Sequence, residues 1–384
     1  MPTFTPCGFT PPRLESALTR GNSVTPPHHN GGMTQQFTTD QSDTGQASEP
    51  PGRAPGRYKR KGLTLADLFD LFPSDAAADE WFIAQRWPGG ARCPRCGSDN
   101  VLDGTSHRTM RFRCRPCNRF FSTKSGSLME GSKIGYREWA LAIYLVTTSP
   151  KGVSSMKLHR DLGVTQRTAW FMLHRIRDAW TQRQGELFEG PVEVDETFIG
   201  GRAKNMRYPR RKRVIKGTGG VGSGKVTVIG IKDRATGRVV ARPVASTSRA
   251  DLVAVIEETV KPEASVFTDE NSSYRRLYMN YRHRSVVHSG HVYVKGDVHV
   301  NTIESCWSLF KRGYHGTYHH MSPKHLQRYV DEFVGRHNCR PLDTRDQMGL
   351  VVEGMVGKRL TYETGRPSPL APRGRLRRVT LSSG

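Results

Sequence analysis

Acidic residues are in short supply in this chain. Its 35 Asp and Glu stand against 59 Lys and Arg, for a formal net charge of +24. A surplus of that size says little about fold but favours a polyanionic partner. Nucleic acid is the first choice, because phosphate neutralisation by Lys and Arg supplies most non-specific affinity. A basic solubilising surface is the plainer alternative. Long hydrophobic runs are also lacking: nothing approaches the ~20 apolar residues that cross a bilayer, so no membrane span is expected. The N-terminal MPTFTPCGFTPPRLESALTR has no charged region followed by an apolar one, which argues against a secretory signal. Cysteines number seven, an odd count, and four of them fall into two CxxC pairs. In a non-secreted protein that pattern reads as metal binding rather than a disulfide framework, and places the chain in a reducing, cytoplasmic compartment.

What is present divides along the 384 residues into two or three domains' worth of chain, at ~100–200 residues per domain. Residues 1–62 are rich in Pro, Gly, Ser, Thr and Gln and close on a basic run from Arg53 to Lys61. Such a stretch buries too little apolar surface to offset its ordering entropy and is expected to be a disordered, basic extension. Residues 63–130 hold short aromatic-bearing helices, LADLFDLFP onward to Trp87, and then the cysteine pairs. Residues 131–185 read as helical. From Val192 the texture turns to strands (VEVDETFIGG, KVTVIGIKD, GRVVARPVA, SVFTD), interrupted by a helix at SRADLVAVIEETV with Ser248 as its cap. Two further helices are expected, Asn301 to Arg312 and Ser322 to His337, the second with Pro323 at its first position. The stretch 190–341 is thus α/β, and 342–384 reads as a basic tail.

Cys93-Pro-Arg-Cys96 and Cys114-Arg-Pro-Cys117 stand 17 residues apart. Each pair forms a knuckle that aims two sulfurs at one point, and two knuckles supply a tetrahedral Zn²⁺ site. The segment between them suggests a hairpin turning at Gly104, with Phe112, Phe120 and Phe121 as its small core. A redox dithiol would need only one CxxC beside a βαβ unit. His107 lies between the pairs and is read as a surface residue, and Cys7, Cys306 and Cys339 as ordinary thiols. Seven arginines, at 92, 95, 108, 111, 113, 115 and 119, crowd the module and suggest contact with DNA.

The run GVSSMKLHRDLGVTQRTAWFMLHRIRDAW, residues 152–180, reads as two helices about the turn Asp161-Leu162-Gly163. Gly163 supplies the left-handed residue and Thr165 caps the second helix. Ala169, Met172, Leu173 and Ile176 repeat at helical spacing. Gln166, Arg167, His174 and Arg175 are expected on the outer face, where they would reach base edges or phosphates. An ordinary helical hairpin is the competing reading.

Three acidic residues stand where metal-dependent phosphoryl transfer would want them: Asp195 in VEVDETFIGG, Asp269 closing SVFTD, and Glu304 on NTIESCWSLFKR. Hard Mg²⁺ or Mn²⁺ takes oxygen ligands, and carboxylates from two strand ends and a helix can converge on such ions. Singly, each has a plainer role. An Asp ending a strand is often a turn residue, and Glu304 stands three residues after Asn301, the spacing of a capping box.

The segments RWPGGARCPRCGS, EVDETFIGGR, the Asp269 strand and HVNTIESCWSLFKRGYHGTYHHMSPKHLQRYVDEFVGRHN resemble insertion-sequence transposases of the IS1595 type, in particular the ISXO2-like group. The resemblance runs from about Leu63 to Pro341. It implies an RNase-H-like catalytic domain preceded by a zinc ribbon and a helix-turn-helix-like segment, and a DDE-type triad whose third member is Glu or Asn, followed by a helical lysine. Carried onto this sequence, the residues are Asp195, Asp269 and Glu304 with Lys311, and Asn301 as the competitor for the third position. The resemblance also implies catalytic Mg²⁺ (or Mn²⁺), structural Zn²⁺, and double-stranded DNA as partner, both terminal inverted repeats and target, bound by a homo-oligomer. A zinc-ribbon regulator with a degenerate catalytic domain and an RNase-H-like nuclease without strand transfer are the rival functions.

Overall fold

The computed structural model describes residues 61–181, 185–201, 203–215, 224–286, 294 and 296–361. The expected disordered extension, apart from its last two residues, and the end of the basic tail lie outside them. Two short helices open the ordered chain, α1 (Leu65–Leu71) and α2 (Asp75–Arg86). Thr64 and Asp67 form a reciprocal capping box at the start of α1, with N–H···O distances of 3.1 and 3.0 Å, and Ser74 caps α2. A three-stranded antiparallel ribbon follows: β1 (Val101–Leu102), β2 (Phe112–Cys114) and β3 (Phe120–Phe121).

Three helices come next: α3 (Tyr136–Thr148), α4 (Ser155–Leu162) and α5 (Gln166–Ala179). The turn between α4 and α5 forms as its residues dictate. Gly163 sits at φ 65°, and the Thr165 hydroxyl accepts from the Thr168 N–H at 3.2 Å. The expected outer face of α5 holds only at its start. Gln166 and Arg167 are exposed, but His174 and Arg175 are buried. The reason is tertiary: α5 is the central helix of a cluster that includes Trp139, Ile143, Leu158, Met172, Ile176, Val351 and Met355. Arg175 spends its guanidinium on the Glu130 carbonyl at 3.2 Å and on the Phe171 ring. Helix α10 (Thr344–Met355) supplies part of that cluster. It falls within the stretch expected to be tail, so the ordered chain runs on past 342. Its apolar side, Met348, Val351, Val352 and Met355, is buried against α5 and its neighbours.

His174 is enclosed by Trp170, His325 and Tyr329, and neither of its ring nitrogens has a hydrogen-bond partner. Burial, reinforced by the nearby Arg177, drives its pKa down to about 2. A histidine depressed in the folded state and ordinary when unfolded contributes stability above ~6.5, lost as pH falls toward the folded value. His174→Leu therefore flattens the fall in stability between pH 6.5 and 4 relative to the wild-type chain. Urea midpoints across that range are the measurement, and parallel curves for the two proteins would count against it.

The second layer is a five-stranded mixed sheet in the order β6-β5-β4-β7-β8. Its strands are β4 (Val192–Ile199), β5 (Val226–Asp233), β6 (Val239–Val244), β7 (Ser265–Thr268) and β8 (Arg282–Ser285). The β6/β5 and β5/β4 pairs are antiparallel, and β4/β7 and β7/β8 are parallel. Helix α6 (Tyr208–Val214) lies between β4 and β5 in the chain, and α7 (Arg249–Glu257) connects β6 to β7. Strand alternation sorts the side chains into two cores. Val192, Val194, Ile229, Ile231 and Val266 meet Leu252, Val255 and Ile256 of α7 on one face. Ile199, Val228, Val239 and Phe267 meet α8 (Asn301–Gly313) and α9 (Leu326–Cys339) on the other. Gly230, paired with Asp195, lets α8 approach closely: a Cβ there would come 2.4 Å from the Trp307 ring.

Among the described residues no helix is long and apolar enough to cross a membrane.

Candidate active site and zinc ribbon

Register brings the two aspartates together. The parallel ladder pairs Val192 with Val266 and Glu193 with Phe267. Continued by two residues, it sets Asp195 of β4 level with Asp269, just beyond the end of β7. Odd-numbered residues of β4 face α8, so Asp195 shares that face with Gly230 and its covering Trp307. Ligand oxygens of Asp195, Glu196 and Asp269 lie within 4.8 Å of one another. Asp195 is half-buried, and its pKa rises to about 8. Desolvation is the leading cause, followed by the negative charges of Glu196 and Asp269, with a smaller contribution from Glu304. Glu196 rises to about 7, again by desolvation first, against the opposing hydrogen bond from Tyr274. Crowded carboxylates that resist ionisation together are what a divalent cation relieves, and an all-oxygen donor set fits a hard one.

Glu196 is not predicted by the sequence pattern. The Asp-Glu pair is adjacent in the chain, but alternation assigns the two side chains to opposite faces of β4. The sheet opens where β7 stops, and Glu196 meets Tyr274 and Asn271 from the segment after Asp269. Tyr274, fully buried, donates its hydroxyl to the Glu196 carboxylate.

Glu304 lies half-buried in the first turn of α8, close enough to raise Asp195 but outside the three-residue cluster. Lys311 and Asn301 are exposed on the same helix. The capping box expected of Asn301 and Glu304 does not form. Val300 occupies the cap position, Asn301 is already helical, and no side chain of the cap residue bonds the helix. The work passes to Glu193, two residues before Asp195, whose carboxylate accepts from Thr302 N–H at 2.9 Å and Ile303 N–H at 3.0 Å.

The four cysteines converge as their spacing demands. Cys93 Sγ lies 3.6 Å from Cys117 Sγ, and Cys96 Sγ 3.5 Å from Cys114 Sγ. All four sulfurs lie within 4.8 Å of one another. With Zn–S near 2.3 Å, a tetrahedral site needs sulfurs ~3.8 Å apart, and both of these pairs lie close to that spacing. Burial alone would raise the Cys93 thiol, but N–H groups of Cys96 and Arg95, together with the Cys117 and Cys96 thiols, outweigh it and bring the pKa to about 7. Phe112 and Phe121 stack at 5.3 Å beneath Trp87. Phe120, expected in that small core, is instead exposed beside His107 with Arg113 over its ring, because β3 has one buried face and Phe121 takes it. His107 is at the surface, away from the sulfurs. Arg111 is committed to Asp103 and Glu80; the other six arginines of the module are exposed.

The paired-cysteine module thus precedes a mixed sheet in which the middle of β4 and the residue just past β7 carry clustered carboxylates. Residues 187–338 match the model of the ISXO2-like transposase domain, and residues 73–119 that of the transposase zinc-ribbon domain. A Halobacterium salinarum protein described as an uncharacterized protein in transposable element ISH50 is 30% identical over 248 residues. The alignment covers 63% of this chain and 83% of that protein. The chain belongs to the ISXO2-like transposase family of the IS1595 type.

A structural Zn²⁺ held by the four cysteines would make the ribbon dependent on metal. Structural Zn²⁺ contributes on the order of 10 kcal/mol in small metal-dependent modules. Purified protein is therefore expected to carry one zinc per chain. Cys96→Ser should lose that zinc and render residues 90–120 protease-sensitive while the mixed sheet stays folded. A zinc-free protein with an intact ribbon would refute this.

Proposed function

We propose that this protein is a DDE-type DNA transposase that binds the terminal inverted repeats of its element and catalyses metal-dependent strand cleavage and strand transfer. The observation that carries the reading is that Asp195 on β4 stands level with Asp269, just past the end of the parallel β7, on the face covered by the helix bearing Glu304. The sheet order, three antiparallel strands extended by two parallel ones with α7 and α8 on opposite faces, supports an RNase-H-like reading of the domain.

Asp195 and Asp269, with Glu304 from the helix, are the residues that would hold Mg²⁺ or Mn²⁺. When bound, such ions activate the attacking hydroxyl and stabilise the leaving oxygen. Glu196, steadied by Tyr274, adds negative charge at the edge of the same site. Lys311, two helical turns beyond Glu304 and exposed, would meet a DNA phosphate. The exposed arginines of the ribbon, with Gln166 and Arg167 at the start of α5, supply the contacts to double-stranded DNA. The active species is a homo-oligomer on DNA.

Incubation with the element's own ends and Mg²⁺, scoring nicked and joined products separately, is the test. Nicking and joining are expected. Nicking without joining would leave a nuclease, and binding without either would leave a DNA-binding regulator. The third carboxylate is decided by two variants. Glu304→Gln should be folded and inactive, since a neutral amide oxygen offsets less cation charge. Asn301→Ser should stay substantially active, because Asn301 neither caps α8 nor is buried. The reverse pattern would move the role to Asn301.

A further inference from the structure

We infer that Glu193 is a positioning residue for the divalent-cation site: it anchors the N-terminus of α8 and thereby sets where Glu304 stands relative to Asp195 and Asp269. Glu193 is fully buried on β4, on the face shared with Asp195. One of its oxygens accepts three hydrogen bonds from the first turn of α8: Thr302 N–H at 2.9 Å, Thr302 hydroxyl at 2.8 Å and Ile303 N–H at 3.0 Å. Those N–H groups belong to the set that a helix leaves unsatisfied at its start, and the side chain at the cap position supplies no acceptor. A carboxylate is also the favoured charge at that end of the helix.

The second Glu193 oxygen receives Arg234 Nε at 2.8 Å. The same guanidinium donates to the Asp297 carbonyl at 2.6 Å and the His299 carbonyl at 2.7 Å, both in the segment leading into α8. Its central carbon lies 4.3 Å from the centre of the Phe267 ring, two residues before Asp269. Lys232, paired with Glu193 across the β4–β5 ladder, donates to the Thr302 carbonyl at 3.3 Å. One carboxylate and two cations thus join the strand of Asp195, the strand of Asp269 and the first turn of the helix, one residue before Glu304. Unpaired N–H groups occur only in the first turn of α8, so the anchor falls in the same turn as Glu304.

The inference rests on Glu304 belonging to the cation site, so the experiment tests both separately. Mn²⁺ alone is titrated into the full chain by calorimetry, and the bound ion is examined by electron paramagnetic resonance, with thermal midpoints recorded in parallel. Glu304→Gln is the reference and should weaken Mn²⁺ binding. Glu193→Ala should weaken it by ~10–100-fold, the usual effect of losing a group that orients a ligand. Glu193→Gln keeps the volume and an acceptor for the helix N–H groups. It should remain folded, with intermediate affinity and an altered Mn²⁺ spectrum. Wild-type affinity and spectrum in Glu193→Gln and Glu193→Ala, beside a weakened Glu304→Gln, would overturn the positioning role alone. Should Glu193→Ala fail to fold, Glu193→Gln decides the matter by the same two readouts. Wild-type affinity in Glu304→Gln would remove Glu304 from the site, and the inference with it.

Discussion

Asp195→Ala and Asp269→Ala should each lower cleavage by roughly a thousand-fold or more while DNA affinity changes little. Each substitution removes a carboxylate that would bear directly on the cation. Several kcal/mol of transition-state stabilisation lost corresponds, at ~1.4 kcal/mol per tenfold, to about that factor. On the proposed reading DNA affinity would come from elsewhere, from phosphate contacts by exposed Lys and Arg. Removing negative charge from a crowded acidic cluster should strengthen it slightly if it moves at all. Both variants should fold, because in the metal-free state the carboxylates repel one another and burial already pushes Asp195 toward its neutral form. Single-turnover nicking assays with a filter-binding control provide the measurement. A nicking rate within a few-fold of wild type in either variant would exclude that residue as a metal ligand.

Glu332→Ala should cost ~3–5 kcal/mol of stability, a drop of roughly 10 °C in thermal midpoint. Arg177 on α5 and Glu332 on α9 pair at 2.7 Å with side-chain exposures of only 2% and 1%. Arg336 adds a second contact to Glu332 at 3.3 Å, and the Tyr318 hydroxyl donates at 2.7 Å. The Arg177 guanidinium also lies 4.0 Å from the Tyr329 ring. Removing the glutamate strands a buried guanidinium that has no neutral form to retreat to. Arg177→Met should cost less, because Glu332 retains Arg336 and Tyr318. Arg177→Met combined with Glu332→Leu should recover much of the loss, as apolar replacement of a buried pair often does. Equal losses in the two single variants would show that packing, rather than charge, holds α5 to α9.

Features that depend on neighbours in the chain were legible from residues alone. Two CxxC knuckles, the Gly163 turn, the Thr165 and Ser248 caps and the alternating strand of Asp195 each follow from spacing of a few residues, and each stands in the fold where that spacing put it. A cap or a knuckle is satisfied within one turn, so distant partners cannot overrule it. Asn301 shows the limit of that logic. Its type and spacing suited a cap, but Glu193, 109 positions before Thr302, supplies the acceptor to the first-turn N–H groups, and Val300 takes the cap position. His174 and Arg175 carry polar types at an amphipathic helix's outer positions, yet tertiary neighbours cover that side. Glu196 joins the acidic cluster only because β7 ends early and lets the next segment turn back across β4. Residue type and local spacing settled where the cysteines pair and where the chain bends. Which carboxylates meet was left to tertiary packing, because burial, and the register between strands far apart in the chain, belong to no single segment.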